Sequence, residues 1–325
     1  MTWTAASGNP IGMRERCERR EGADGLPLAV YHFEPEDEPR GLLTIAHGMG
    51  EHAQRYRRLG ERFTAAGWSV LAHDQRGHGK SLVPGAPLGH MGDEDSWRKA
   101  VDDLLGLIKH QAAEHPGLPQ LLLGHSMGSF MVQQAIYEEP GCVDGVVLSA
   151  SNGKPPLLAQ AGRALARAER VRLGRRRPSA LLNKMSFGKF NDSFEPARTP
   201  FDWLSRDEAE VDAYIEDPLC GFDISVQSWV DMLDALGQLA RVSNQRRIPR
   251  DQPLFIFAGS RDPVGDFGAG VQRLAGSYRS AGLEAVELKL YEGGRHEMLN
   301  ETNRDEVMDD VLAFAERVAQ GRRDT

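Results

Sequence analysis

Apolar residues in this chain gather in short unbroken runs. Leu42-Leu43-Thr44-Ile45-Ala46, Trp68-Ser69-Val70-Leu71-Ala72, Leu121-Leu122-Leu123, Val146-Val147-Leu148 and Leu254-Phe255-Ile256-Phe257-Ala258 lack the alternation of a half-exposed strand. They read as strands of a mostly parallel sheet covered by helices on both faces. A further strand is predicted over 286–291, and two strand-like runs, around 14–20 and 26–33, come first after a loose arm over 1–12. Helical spacing separates the strands. Tyr56, Leu59 and Phe63 share one face of a helix over 54–66, and Trp97, Val101, Leu104, Leu105 and Ile108 share one face of a helix over 94–115 that Pro116-Gly117 stops. Further helices are predicted over 129–138, 225–239, 266–281 and 301–319.

This strand–helix rhythm breaks between 152 and about 224, where prolines and short helical pieces replace buried strands. The expected architecture is an α/β fold with a helical cap inserted after the sixth strand. Its core parts are 1–151 and 225–325, and its cap is 152–224. No internal repeat is present.

Between the strand at 121–123 and the helix at 129–138 stands Gly124-His125-Ser126-Met127-Gly128. A strand turning sharply into a helix leaves room only for glycine where the two cross, and it lifts the central serine clear of the sheet at the positive end of a helix dipole. Elsewhere this pentapeptide arises by chance as a plain turn; in this position it reads as a nucleophile. A serine hydroxyl needs a base, and the base needs a partner that fixes its tautomer. Asp262 follows the strand at 253–258 and His296 follows the strand at 286–291, so Asp262 is expected to orient His296 as general base and acid. Asp266 is the competitor for the first role. Ten histidines are present, and His296 is chosen because it lies at the end of the last strand. An oxyanion cradle completes such a site. Its expected donors are the backbone N–H groups of Met127 and of Met49, in the glycine loop His47-Gly48-Met49-Gly50. Whether the two methionine side chains line an acyl channel or fill the core stays open. His47, His73, His78 and His125 are expected to make structural hydrogen bonds.

Composition narrows the field. The net charge of -8 argues against general nucleic-acid binding. No stretch approaches the roughly 20 apolar residues of a membrane span. Residues 1–25 are polar and rich in Arg and Glu, without a secretory apolar core, so a cytoplasmic location is expected. Cys17, Cys142 and Cys220 are odd in number and widely spaced, which suits packing roles in a reducing compartment. No His/Asp/Glu group has metal-ligand spacing and Gly77–Gly79 lacks a phosphate-loop pattern, so no metal or cofactor is expected. Residues 154–184 hold nine Lys or Arg against Glu169, a local charge of +8 that leaves -16 on the remainder. On a helical wheel Leu157, Ala161, Leu165 and Ala168 share an arc, with Arg163, Arg167 and Arg170 opposite. Such a helix either covers the site entrance or lies peripherally on anionic lipid, here the inner face of the membrane.

Taken together, His47-Gly48-Met49-Gly50-Glu51-His52 with Arg55-Tyr56, Asp74-Gln75-Arg76-Gly77-His78-Gly79 with Ser81, Gly124 to Gly128, Asp217-Pro218-Leu219, Asp262-Pro263-Val264 and His296-Glu297 with Leu299-Asn300-Glu301 resemble the monoacylglycerol lipase and lysophospholipase group of the α/β-hydrolases. The resemblance covers most of 27–320 and is weakest over 152–200. It implies a cap over an acyl tunnel, with the alcohol leaving near the triad. Ser129 departs from it, standing where many relatives have glycine. The expected activity is cofactor-free hydrolysis of a single-chain lipid ester through an acyl-enzyme on Ser126. The alternatives are a short-chain carboxylesterase, a peptidase of the S33 type, and a non-catalytic binding protein on the same fold.

Overall fold

The computed structural model describes residues 12–153 and 157–323. β1 (Met13–Glu21) and β2 (Pro27–Pro35) form an antiparallel pair at one edge of the sheet. β2 also runs antiparallel to β4 (Trp68–His73), and from there the sheet is parallel. β3 (Gly41–Ala46), β5 (Gln120–His125), β6 (Gly145–Ser149), β7 (Leu254–Gly259) and β8 (Val286–Tyr291) complete the order β1-β2-β4-β3-β5-β6-β7-β8. Every residue of β3 through β7 is buried, which is why those runs carry no alternation. β8, at the far edge, is covered mainly at its ends.

Side chains on successive strand residues point to opposite faces, so the leucine run of β5 feeds two cores. Leu121 and Leu123 join Phe63 of α1 (Arg57–Ala65) and Val311 and Phe314 of α10 (Arg304–Arg323). Leu122 joins Leu104 and Ile108 of α2 (Ser96–Glu114), Val132 and Ile136 of α3 (Met127–Glu138), and Leu274 of α9 (Ala269–Ala281). The two cores cover the sheet on its two faces. Because β3, β5, β6, β7 and β8 are parallel, their C-terminal ends share one edge, where open α/β sheets bind ligands.

After β6 the chain leaves the sheet and returns at β7. Between lie α4 (Leu157–Leu173), α5 (Ala180–Phe187), α6 (Glu208–Glu216), α7 (Val226–Leu239) and α8 (Val242–Gln245). All but the last residue of the expected arm at 1–12 lies outside the described residues, as do Lys154 and the Leu157 side chain.

Two local readings change. Asp266 and Phe267 both adopt φ near 53°, so the helix expected from Asp266 starts only at Ala269. The predicted inward face of α4 holds only in part: Leu165 packs against the core as expected, but the rest of the face is shifted. Ala161 and Ala168 are exposed, whereas Ala166 and Glu169 are buried. The cause lies on α7: Asp234 accepts from Arg163 Nε at 2.8 Å and Arg167 Nη2 at 2.9 Å, drawing the basic edge toward the protein.

Candidate active site

The turn between β5 and α3 carries Ser126 at φ 50° and ψ -118°, a backbone conformation costly for a residue with a side chain. Close packing imposes it. A Cβ on Gly124 would lie 2.6 Å from the Gly128 carbonyl oxygen, and one on Gly128 would lie 2.1 Å from that of Ala46, so strand, helix and the end of β3 pass in direct contact. The turn is also tied from below. Ser126 N–H donates to the Ser149 carbonyl at 3.0 Å, and the Ser129 hydroxyl donates to the Ser126 carbonyl at 2.6 Å. Ser129 Oγ lies 2.6 Å from Ser151 Oγ, so the side chain that replaces the usual glycine adds a brace.

The loops after β7 and β8 bring the other two expected residues to Ser126. His296 Nε2 lies 3.0 Å from Ser126 Oγ, and His296 Nδ1 lies 3.0 Å from Asp262 Oδ1. Asp262 is fully buried, and its Oδ1 also accepts the Val264 N–H at 2.9 Å. Its Oδ2 is buried with no hydrogen-bond partner. Asp266, the competitor, is exposed and pairs with Arg273 at 3.1 Å. The Nδ1 contact to a carboxylate places the imidazole proton on Nδ1 and leaves the Nε2 lone pair facing the serine hydroxyl. Burial opposes charge on His296, but the carboxylates of Asp262, Glu297 and Glu51 outweigh it and raise its pKa above 6.5.

The glycine loop after β3 closes the other side. A Cβ on Gly48 would lie 3.4 Å from Ser126 Cβ, so the backbone leading into Met49 abuts the serine. Met127 follows Ser126 directly; its side chain is buried in the core, while Met49 is half-buried. His47 sets the loop: its Nδ1 donates to the Gly48 carbonyl at 2.7 Å, and its Nε2 accepts the Gln75 N–H at 2.9 Å.

Two features of the site escaped the sequence reading. The first is an ion cluster. Glu51 Oε1 accepts from Gly48 N–H at 2.5 Å and from the Tyr56 hydroxyl at 2.9 Å, while Arg55 reaches Glu51 Oε2 at 2.8 Å and grips both oxygens of Glu297. Burial works to raise the Glu297 pKa, but Arg55 prevails and holds that carboxyl well below its usual range. Arg55 also lies 4.9 Å from the Tyr214 ring centroid, and the Tyr214 hydroxyl donates to the Gly50 carbonyl at 2.9 Å. Glu51 and Arg55 stand four residues apart, a spacing that signals a local pair; the third member, 242 positions away, leaves no such trace.

The second is an aromatic cover. The Trp203 ring lies 5.1 Å and the His125 ring 4.9 Å from the His296 ring, centroid to centroid. The Trp203 and Leu204 carbonyls accept the His296 and Glu297 N–H groups at 3.3 and 2.8 Å. Phe187, Phe190, Phe194, Phe201 and Val264 pack with Trp203, Leu204 and Tyr214, so the surface facing the imidazole from the insertion is apolar.

Comparison with known proteins places this chain among relatives. Residues 37–303 match the family described as serine aminopeptidase, S33. Monoacylglycerol lipase of Mycolicibacterium smegmatis is 32% identical over 301 residues, covering 90% of this chain and 94% of that protein. Human monoglyceride lipase is 30% identical over 282 residues, covering 84% of this chain and 81% of that protein. The crystal structure of a thermostable carboxyl esterase from Bacillus coagulans superposes with a TM-score of 0.86 at 26% identity, covering 94% of this chain and 99% of that one.

Proposed function

Because this chain belongs to the monoacylglycerol lipase group of the α/β-hydrolases and is a carboxylic ester hydrolase, we propose that it cleaves single-chain lipid esters through an acyl-enzyme on Ser126. The observation that carries this reading is the unbroken line from Ser126 Oγ through His296 to Asp262, beneath an apolar aromatic cover.

His296 Nε2 takes the hydroxyl proton as Ser126 Oγ attacks the acyl carbonyl. The backbone N–H groups of Met49 and Met127 receive the charge that develops on the carbonyl oxygen. Collapse of the tetrahedral intermediate breaks the ester C–O bond, and His296 hands its proton to the departing alcohol. Water, deprotonated in turn by His296, releases the fatty acid and restores Ser126. Asp262 keeps the proton of the neutral imidazole on Nδ1 and offsets its charge when it becomes imidazolium.

Residues 152–224 act as the cap, set between core parts 1–151 and 225–325. Their apolar inner surface suits an acyl chain better than a polar peptide. Their outer surface suits a lipid interface: Val171 is 86% exposed and Met185 58% exposed, on a segment rich in arginine. This surface supports peripheral contact with a membrane. None of the described helices is long and apolar enough to cross a bilayer. A panel of monoacylglycerol, lysophosphatidylcholine, short p-nitrophenyl esters and aminoacyl amides tests the substrate reading. It predicts the highest kcat/KM on the first two; a preference for the amides or the shortest esters would overturn it.

A further inference from the structure

His52, Asp217 and Cys220 converge beside the loop that carries Met49. His52 Nε2 lies 2.8 Å from Asp217 Oδ2, and one donor atom from each residue lies within 4.8 Å of the other two: an imidazole nitrogen, a carboxylate oxygen and Sγ. Spacing along the chain hides the set, because 165 positions separate His52 from Asp217. His52 is 6% exposed, and its Nδ1 is buried without a hydrogen-bond partner. An unanswered buried nitrogen is costly, and it calls for an explanation beyond packing. Cys220 is free of any disulfide and half-buried. The carboxylates of Glu51, Glu297 and Asp217 gather around Arg55, so the neighbourhood holds more negative than positive charge.

We propose that His52, Asp217 and Cys220 form a binding site for one divalent cation of the zinc type, with water filling the fourth position. The donor set selects the ion. Nitrogen, thiolate and a single carboxylate suit zinc, cobalt or cadmium, whereas magnesium and calcium require shells of oxygen. Binding forms metal–sulfur, metal–nitrogen and metal–oxygen bonds. Cys220 releases its thiol proton to solvent, and His52 stays neutral with its proton on the nitrogen that the ion does not take. Bond lengths of about 2.0–2.3 Å put tetrahedral neighbours roughly 3.3–3.8 Å apart, so the His52–Asp217 contact at 2.8 Å opens slightly while the wider separations, up to 4.8 Å, close by up to about 1.5 Å. The turn over 217–220 carries that motion, and it is already coupled to the glycine loop, since Gly221 N–H donates to the Gly50 carbonyl at 2.9 Å. An ion here ties the cap to the loop beside Ser126. The site stands independently of which ester the enzyme cleaves.

Cobalt titration of the reduced full-length protein tests this, because a cobalt–thiolate bond has its own near-ultraviolet charge-transfer band. The band is expected to saturate at one equivalent and to disappear on adding one equivalent of zinc. It is expected to be absent in Cys220→Ser and unchanged in Cys17→Ser and Cys142→Ser. Asp217→Asn, on a half-exposed turn, is expected to weaken cobalt at least tenfold, and it carries the test if Cys220→Ser does not fold. Absence of the band in the wild-type protein, its persistence in Cys220→Ser, or undiminished affinity in Asp217→Asn overturns the proposal.

Discussion

Arg55 holds Glu297 by both carboxylate oxygens, Nη1 to Oε1 at 2.6 Å and Nη2 to Oε2 at 2.7 Å. Glu297 follows His296, and the same guanidinium reaches Glu51, whose other oxygen anchors the Gly48 N–H. One side chain therefore fixes the imidazole loop relative to the glycine loop. Removing it strands two buried carboxylates. Arg55→Met is expected to cost about 3–5 kcal/mol of stability, read by urea denaturation. Arg55→Lys keeps the charge and loses the planar fork, so it is expected to fold with reduced kcat. Wild-type stability in Arg55→Met would contradict this reading.

The same cluster sets a pH dependence. Imidazole must be neutral to accept the serine proton, so kcat/KM is expected to fall as pH drops through a His296 pKa that lies above 6.5. Glu297 helps hold that value up. Glu297→Gln removes a negative charge, makes imidazolium less favourable and is expected to move the acid limb to lower pH. A limb that stays in place, or moves to higher pH, would show that Glu297 does not act on His296 through its charge.

Backbone strain at Ser126 gives a stability signature. Glycine adopts positive φ without the Cβ penalty that alanine keeps. Both Ser126→Gly and Ser126→Ala remove the hydroxyl, yet the glycine variant is expected to be the more stable, within the roughly 1–3 kcal/mol such strain stores. Thermal denaturation of the pair decides this, and equal midpoints would mean the turn holds no strain.

Buried neutral histidines set the acid limit of the fold. Burial lowers His73 and His78 to about 4, and burial together with nearby His296 lowers His125 to about 3. Unfolded histidine takes up a proton near pH 6.5, before the folded groups do, so the stabilisation is complete above that pH and is lost as pH falls toward 4. The urea midpoint is expected to decline steadily between pH 6.5 and 4. A midpoint constant down to pH 4.5 would contradict this.

The proposed lipid contact of the segment after β6 gives a further prediction. Val171 and Met185 offer exposed apolar contact, although Arg163, Arg167, Arg172, Arg175 and Arg176 are engaged by Asp234, Glu169, Glu94 and Asp93. Co-sedimentation with anionic vesicles is expected to exceed that with neutral vesicles and to weaken with salt. Equal, salt-insensitive partition would remove the electrostatic part of the reading.

What could be read from the sequence follows from burial. A strand covered on both faces must be apolar throughout, so β3 through β7 announced themselves. Ser126, Asp262 and His296 were expected to meet because each follows a strand of the sheet, the first two after buried strands and His296 after the edge strand β8, and parallel pairing brings those strand ends to one edge. The face of α4 could be read only in part, since it depends on Asp234, a partner 67 positions beyond Arg167. The link from Arg55 to Glu297 and the meeting of His52 with Asp217 were hidden for the same reason: a pairing across the fold leaves no local period. Trp203 lies in the insertion, where no repeating strand pattern indicates which side chain will cover His296.

The central claim is that Ser126 is the group acylated during turnover. A fluorophosphonate probe followed by peptide mapping addresses it directly. Stoichiometric labelling of Ser126 is expected, strongly slowed in His296→Ala, with Ser126→Ala unlabelled and its ester turnover reduced roughly 10⁴-fold or more. Label on another residue, or near-normal turnover in Ser126→Ala, would contradict the account.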